Sequence, residues 1–123
     1  MRKNDAALAK KWYDAWNARD VDAILSLYAE DIEFSSPFVS ALGFGLEGVI
    51  HGKGMFRAYV EAAIPRVPQL SFAHVALCAG ARGHTIIYRI NTGVLVAEMH
   101  ELDGAGLIIR ADASYETSDF PGA

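Results

Sequence analysis

Residues 70–117, LSFAHVALCAGARGHTIIYRINTGVLVAEMHELDGAGLIIRADASYET, decide the fold. They hold four β-rich runs, 70–79, 84–91, 94–102 and 107–117, in which apolar side chains alternate or cluster as strands require. Only Gly80-Ala81-Arg82-Gly83, Thr92-Gly93 and Asp103-Gly104-Ala105-Gly106 separate them. Connections this short join antiparallel neighbours, because a parallel return needs a dozen or more residues. The C-terminal part therefore reads as a four-strand meander.

Upstream the period changes. Between residues 5 and 18, Leu8, Trp12 and Trp16 recur at helical spacing, flanked by Tyr13 and Ala15, with Lys10, Lys11 and Asp14 off the stripe. After Asn17-Ala18-Arg19, Asp20 is placed to cap a second helix by accepting from the free N–H of Asp22 or Ala23. Its buried side would be Ile24, Leu25, Leu27 and Tyr28. Over 31–38, Ile32, Phe34 and Ser36 alternate with Glu33 and Ser35, a half-buried strand that Pro37 ends. Gly43, Gly45 and Gly48 make a loop, and a third helix runs over 53–64 with Phe56, Tyr59, Val60 and Ala63 on one face and Pro65 and Pro68 closing it. Helices followed by an antiparallel meander is an α+β order. Three N-terminal helices covering one face of a curved, mainly antiparallel sheet give a cone-shaped half-barrel with a pocket. Residues 1–123 read as one domain, with a short frayed tail over 118–123.

The 123 residues are 52% hydrophobic and carry a net charge of -4 from 11 Lys+Arg and 15 Asp+Glu. A chain of this length buries roughly two-thirds of its unfolded surface, enough for a core with a cavity in it. Its longest basic runs, Arg2-Lys3 and Lys10-Lys11, do not make a phosphate-tracking surface, so nucleic acid is not an expected partner. No apolar run is long enough to span a membrane. The start of the chain leads into an amphipathic segment rather than a signal core, and the expected location is cytoplasmic. Cys78 is single, which excludes an intrachain disulfide and fits a buried core thiol. His51, His74, His84 and His100 lack zinc-site spacing, and no metal or cofactor is expected. Gly43-Phe44-Gly45-Leu46-Glu47-Gly48 satisfies a dinucleotide-loop pattern literally but opens no helix after a strand, so it reads as a rim loop.

Alternation over 94–102 puts Val94, Val96, Glu98, His100 and Leu102 on one face. Glu98 and His100 are therefore neighbours and the candidate acid–base pair. A carboxyl there could donate to a ligand oxygen when protonated, or take a proton beside a carbonyl when ionised. The bland alternative is a self-satisfied polar pair with His100 or Arg89. Trp12, Trp16, Tyr28, Phe34, Phe56, Tyr59, Tyr88 and Tyr115 could wall a pocket for a small apolar or aromatic ligand, or simply pack the core. Asp112 falls on the face opposite Leu107, Ile109, Ala111, Ala113 and Tyr115 and points away from the pocket.

Several local motifs in this order resemble the nuclear-transport-factor-2-like superfamily, in its SnoaL-like and ketosteroid-isomerase-like branch. They are Trp16-Asn17-Ala18-Arg19-Asp20-Val21-Asp22, Tyr28-Ala29-Glu30-Asp31-Ile32-Glu33-Phe34, Ser36-Pro37, Gly48-Val49-Ile50-His51-Gly52-Lys53 and Leu102-Asp103-Gly104-Ala105-Gly106-Leu107-Ile108. The resemblance implies that the Tyr, base Asp and acid of ketosteroid isomerases fall on Trp12, Ser36 and Glu98, and that Trp12 and Tyr115 face the cavity. Trp12 offers an N–H but no ionisable hydroxyl, and Ser36 cannot abstract a proton unaided, which argues against a steroid isomerase. It also implies a homodimer, for which an outer face with Leu95, Met99 and Ile108 is suitably apolar.

Two functions remain open at this point. One is a cofactor-independent isomerase, cyclase or dehydratase that acts on an apolar carbonyl metabolite through Glu98. The other is a non-catalytic ligand-binding or dimeric interaction module.

Overall fold

The computed structural model describes residues 4–118. In chain order these form α1 (Asp5–Asn17), α2 (Val21–Leu25), β1 (Tyr28–Ser35), α3 (Pro37–Ala41), β2 (Val49–His51), α4 (Lys53–Arg66), β3 (Phe72–Ala79), β4 (Gly83–Ile90), β5 (Leu95–Leu102) and β6 (Ile108–Tyr115). One six-stranded sheet has the order β2-β1-β6-β5-β4-β3. Its meander β3 to β6 is antiparallel throughout, while β1 returns parallel to β6 and antiparallel to β2. The α+β half-barrel is thus the observed architecture, with two helices' worth of wall on its concave side: α1 packs on β3 and β4, and α4 on β1 and β2. The residues 119–123 of the expected frayed tail lie outside the described segment.

The helix signals work locally as their chemistry requires. Asp20 accepts from the Ala23 N–H at 3.1 Å and so starts α2. The Asn17-Ala18-Arg19 break is a clamp as well as a stop. Asn17 exchanges two hydrogen bonds with the Phe72 backbone (2.8 and 3.2 Å), and Arg19 donates to the carbonyls of Val67 and Leu70, both at 2.8 Å. These bonds fasten the α4–β3 connection to the end of α1.

Several boundaries differ from the sequence expectation. Tyr28 belongs to β1, not to the second helix: the Leu27 N–H closes a turn on the Ile24 carbonyl, and the Leu27 carbonyl accepts from the Ile108 N–H, drawing the chain into the sheet. Pro37 ends the strand but also opens α3, a helix the sequence reading lacks. There Ser36 is extended and caps the Phe38 N–H, and Pro at the first helical position needs no donor. The three residues of β2, too few to show a period, pair back onto Glu33–Ser35. Pro65 lies inside the last turn of α4, which runs on to Arg66. Cys78 is exposed, on the edge strand β3, rather than a core thiol.

The core lies between the helices and the concave sheet face, where Ile24, Ile32, Phe56, Val60, Ile86 and Val96 have no solvent exposure. Each such side chain contributes about 1.5–3 kcal/mol relative to an exposed one. Along β6 Ala111 and Ala113 point inward as the alternation predicts, but the register slips beside Leu102, so that Ile108 rather than Ile109 is buried. A bulge inserts one residue and reverses the faces beyond it. Ile108 is therefore core, and not part of the apolar outer face. Gly83 has a specific task at the start of β4, since a Cβ there would run into the backbone carbonyl of His100 on β5.

Candidate functional site

A cavity of about 250 Å³ opens between α1, α3, α4 and the sheet. Trp12 and Trp16 of α1, Phe38, Ala41 and Leu42 at α3, Tyr59, Ala63 and Arg66 of α4 and the clamped Val67 and Leu70 form its sides and mouth. Phe34, Ser36, Phe72, Tyr88, Glu98, Ala113 and Tyr115 complete the lining from the sheet. The lining is overwhelmingly apolar and aromatic, and among the described residues Glu98 is the one carboxylate in it.

Glu98 reaches this position because inward residues alternate along β5 and because the strands beside it place Ile86 and Ala113 opposite. The small Ala113 leaves room over the carboxylate. At 3% exposure an ionised carboxylate needs partners, and it has two. The Tyr88 hydroxyl donates to Oε1 at 2.8 Å, and His100 Nε2 stands 2.7 Å from Oε2. A carboxylate has about four acceptor positions, so these two bonds leave acceptor capacity on a residue that lines the cavity.

The phenols around Glu98 are held neutral. Burial, then the Glu98 charge, raises every one of them: Tyr13 is pushed up to about 12, and Tyr28, Tyr59, Tyr88 and Tyr115 rise further. They are thus fixed O–H donors at neutral pH. Ser36, Tyr59 and Tyr115 all line the cavity, and Ser36 partly offsets the rise of the two phenols.

The expected site residues separate into two groups. Trp12, Trp16, Phe34, Ser36, Tyr59, Tyr88, Glu98 and Tyr115 line the cavity. Tyr28 and Phe56 do not: both are fully buried beneath it, with ring centroids 4.5 Å apart. Tyr28 instead organises the tryptophans, accepting from the indole N–H of Trp12 at 2.9 Å and of Trp16 at 3.3 Å. The Trp12 N–H is therefore used inside the wall rather than offered to a ligand. His100 shares the face of Glu98 but lies behind it, 1% exposed and outside the cavity lining, because α1 covers this end of the sheet with Trp12 packed on the imidazole ring. Arg89 donates to the Gly93 carbonyl, not to Glu98. Asp112 accepts from Ser35 Oγ at 2.9 Å, away from the cavity.

Two buried polar residues were not singled out in the sequence. His84 Nδ1 is 2.8 Å from Asp5 Oδ1, and His84 Nε2 is 3.4 Å from His100 Nδ1. His84 was legible in principle, since counting back across the Thr92-Gly93 turn pairs it with His100 on the inward face. Asp5 had no such signal, because only the docking of α1 on β4 brings it there. Among the described residues no group of three or more His, Cys, Asp or Glu side chains is arranged to hold a metal ion. No helix among them is long and apolar enough to cross a membrane.

Residues 9–119 match the family profile of the SnoaL-like domain. No curated protein matches the chain. Among solved structures, a SnoaL-like protein of unknown function from Burkholderia thailandensis is 33% identical, with a TM-score of 0.86 over 95% of this chain and 98% of that one. A candidate ketosteroid isomerase from Kribbella flavida has a TM-score of 0.75 at 18% identity, over 98% and 84% of the two chains. A candidate polyketide cyclase from Sinorhizobium meliloti has 0.73 at 13%, over 88% and 94%; these two likenesses concern the fold alone. With nearly the whole domain matched, the chain belongs to the SnoaL-like family, within the nuclear-transport-factor-2-like fold.

Proposed function

We propose that the cavity binds a small apolar or aromatic carbonyl compound and that Glu98 moves a proton at the carbon beside the carbonyl, as a cofactor-independent isomerase, cyclase or dehydratase would. The observation that carries this reading is one buried carboxylate among the described residues of the lining, held by Tyr88 and His100 and surrounded mainly by rings and aliphatic groups. Glu98 takes the proton as the C–H bond breaks, and the electron pair moves onto the carbonyl oxygen as an enolate. The neutral Tyr59 and Tyr115 hydroxyls, which line the same cavity, supply donors for that oxygen. Glu98 then returns the proton to the same or another carbon. An apolar wall raises the worth of each of these contacts by excluding water.

The test is α-proton exchange in D2O, followed by NMR on aromatic ketones and polyketide-like phenols that raise the melting temperature. A ligand at 100 times its dissociation constant stabilises by about 2.7 kcal/mol, which makes the thermal screen sensitive. Wild type should wash deuterium into a bound ketone, whereas Glu98→Gln should bind it without exchange. Equal binding by both proteins with no exchange by either would replace this reading with that of a non-catalytic ligand-binding module, in which Tyr88 and His100 merely satisfy Glu98.

The outer face of the sheet supports a second proposal, a homodimer. Leu95, Met99 and Ile87 are only half-buried in the single chain and adjoin the exposed Ala97. Light scattering during size-exclusion chromatography should give twice the 13.3 kDa chain mass, and a monomer would refute this.

A further inference from the structure

Behind Glu98 a line of four titratable groups crosses from β5 through β4 to the first turn of α1. Glu98 Oε2 lies 2.7 Å from His100 Nε2, His100 Nδ1 3.4 Å from His84 Nε2, and His84 Nδ1 2.8 Å from Asp5 Oδ1. All four residues are buried, with exposures of 3%, 1%, 3% and 7% in that order.

The number of protons in this line follows from the contacts. Each of the three contacts needs one proton between its two heavy atoms. Two carboxylates and two neutral imidazoles bring only two, one per ring. With those two placed against Asp5 and Glu98, no proton would lie between His84 Nε2 and His100 Nδ1, and the four groups would carry a charge of -2 among themselves. A third proton fills the middle contact and lowers that charge to -1. Low surrounding dielectric makes both gains large.

We infer that Asp5, His84, His100 and Glu98 form one buried proton chain that holds three protons over its three contacts, in which Asp5 and His84 are positioning residues for the cavity carboxyl. Two arrangements share this count. In one, Glu98 is protonated and donates to His100, His100 Nδ1–H donates to His84, and His84 Nδ1–H donates to an ionised Asp5. In the other, each proton has crossed its own contact, so that Asp5 is protonated and donates to His84, His84 Nε2–H donates to His100, and His100 Nε2–H donates to Glu98 as an ionised base. No proton is gained or lost between them. The same chain therefore presents Glu98 to the cavity as either an acid or a base. The proton count stands on the geometry alone; its kinetic consequence rests on the proposed role of Glu98.

Other charges act on this chain from each element packed against it. Tyr13, Tyr28, Tyr59, Tyr88 and Tyr115 face Glu98 as neutral phenols. Arg82, Glu101 and Arg110 border a crevice that reaches His84 and His100 from the other side. Asp5 and His84 have additional partners.

The test is long-range 1H–15N correlation on the full chain with 15N-labelled histidine, at pH about 7. Of the facing nitrogens His84 Nε2 and His100 Nδ1, one should be protonated. If both are unprotonated, the chain is two separate ion pairs and the inference falls, whatever the activity. Asp5→Asn removes a negative charge, so the third proton should leave at lower pH than in wild type; an unchanged titration would also overturn it. The wild-type spectrum decides the count even if the variant does not fold. In the deuterium-exchange assay, Asp5→Asn should shift the pH profile of kcat/KM downward with KM little changed. A third proton seen by NMR with an unmoved profile would sink the positioning role and leave the chain structural.

Discussion

Replacing Tyr88 by Phe isolates one hydrogen bond of the site. Tyr88 is 1% exposed, and its ring packs on Trp12, Tyr13 and Phe72 at centroid distances of 5.4, 6.1 and 4.9 Å, contacts that Phe retains. What disappears is the hydroxyl that donates to Glu98 Oε1 at 2.8 Å. A hydrogen bond to a charged group is worth about 1.5–3 kcal/mol, and this carboxylate is only 3% exposed. Urea unfolding at pH 7, followed by tryptophan fluorescence, should therefore show a loss of about 1.5–3 kcal/mol with the m-value unchanged. In a Glu98→Gln background the acceptor is neutral, and the same substitution should cost only about 0.5–1.5 kcal/mol. The difference, about 1 kcal/mol or more, is the coupling between the phenol and the charge. Equal losses in the two backgrounds would refute the reasoning, because the Tyr88 hydroxyl would then be bonded to a neutral Glu98 rather than to a charge. A loss below about 0.5 kcal/mol in both would remove the hydrogen bond itself from the account.

Further expectations concern the wall, the clamp and the phenols. Tyr13 moves from the ordinary phenol value of 10.0 to about 12 through burial and then Glu98, and the other tyrosines are raised further. Raised acids make the native state hold protons that the unfolded state loses above pH 10.0, so stability should fall as pH rises from there, and tyrosinate absorbance should appear together with unfolding. Stepwise ionisation in a folded protein near pH 10.0 would contradict this. Gly83→Ala should cost about 3 kcal/mol or prevent folding, because the new Cβ meets the His100 carbonyl; a normal melting temperature would show that the strands can part there. Arg19→Ala removes the donors to Val67 and Leu70, and hydrogen exchange should speed up over 67–72 while α2 is little affected. Uniform acceleration across the chain would instead mark Arg19 as a general stability residue.

The sequence by itself determined the parts of this protein whose physics is local. A period of two between short turns can make only a meander, so the pairing of β3 to β6 and the inward position of Glu98 were readable from alternation and turn length. The cap at Asp20 and the amphipathic stripe of α1 were readable for the same reason. Tertiary structure decided whatever depended on which elements meet. The parallel seat of β1 beside β6 takes Tyr28 out of a helix, and the bulge beside Leu102 turns Ile108 inward; neither has a periodic signature. Aromatic residues at similar spacing divide into cavity wall, such as Trp12 and Tyr59, and core, such as Tyr28 and Phe56, according to how far below the concave surface each lies. Asp5 and His84 stand 79 residues apart in the chain and meet only because α1 docks on β4. Strand alternation chooses the face on which a side chain stands, but only packing chooses what stands opposite, and that is why the carboxylate was legible and the line of groups behind it was not.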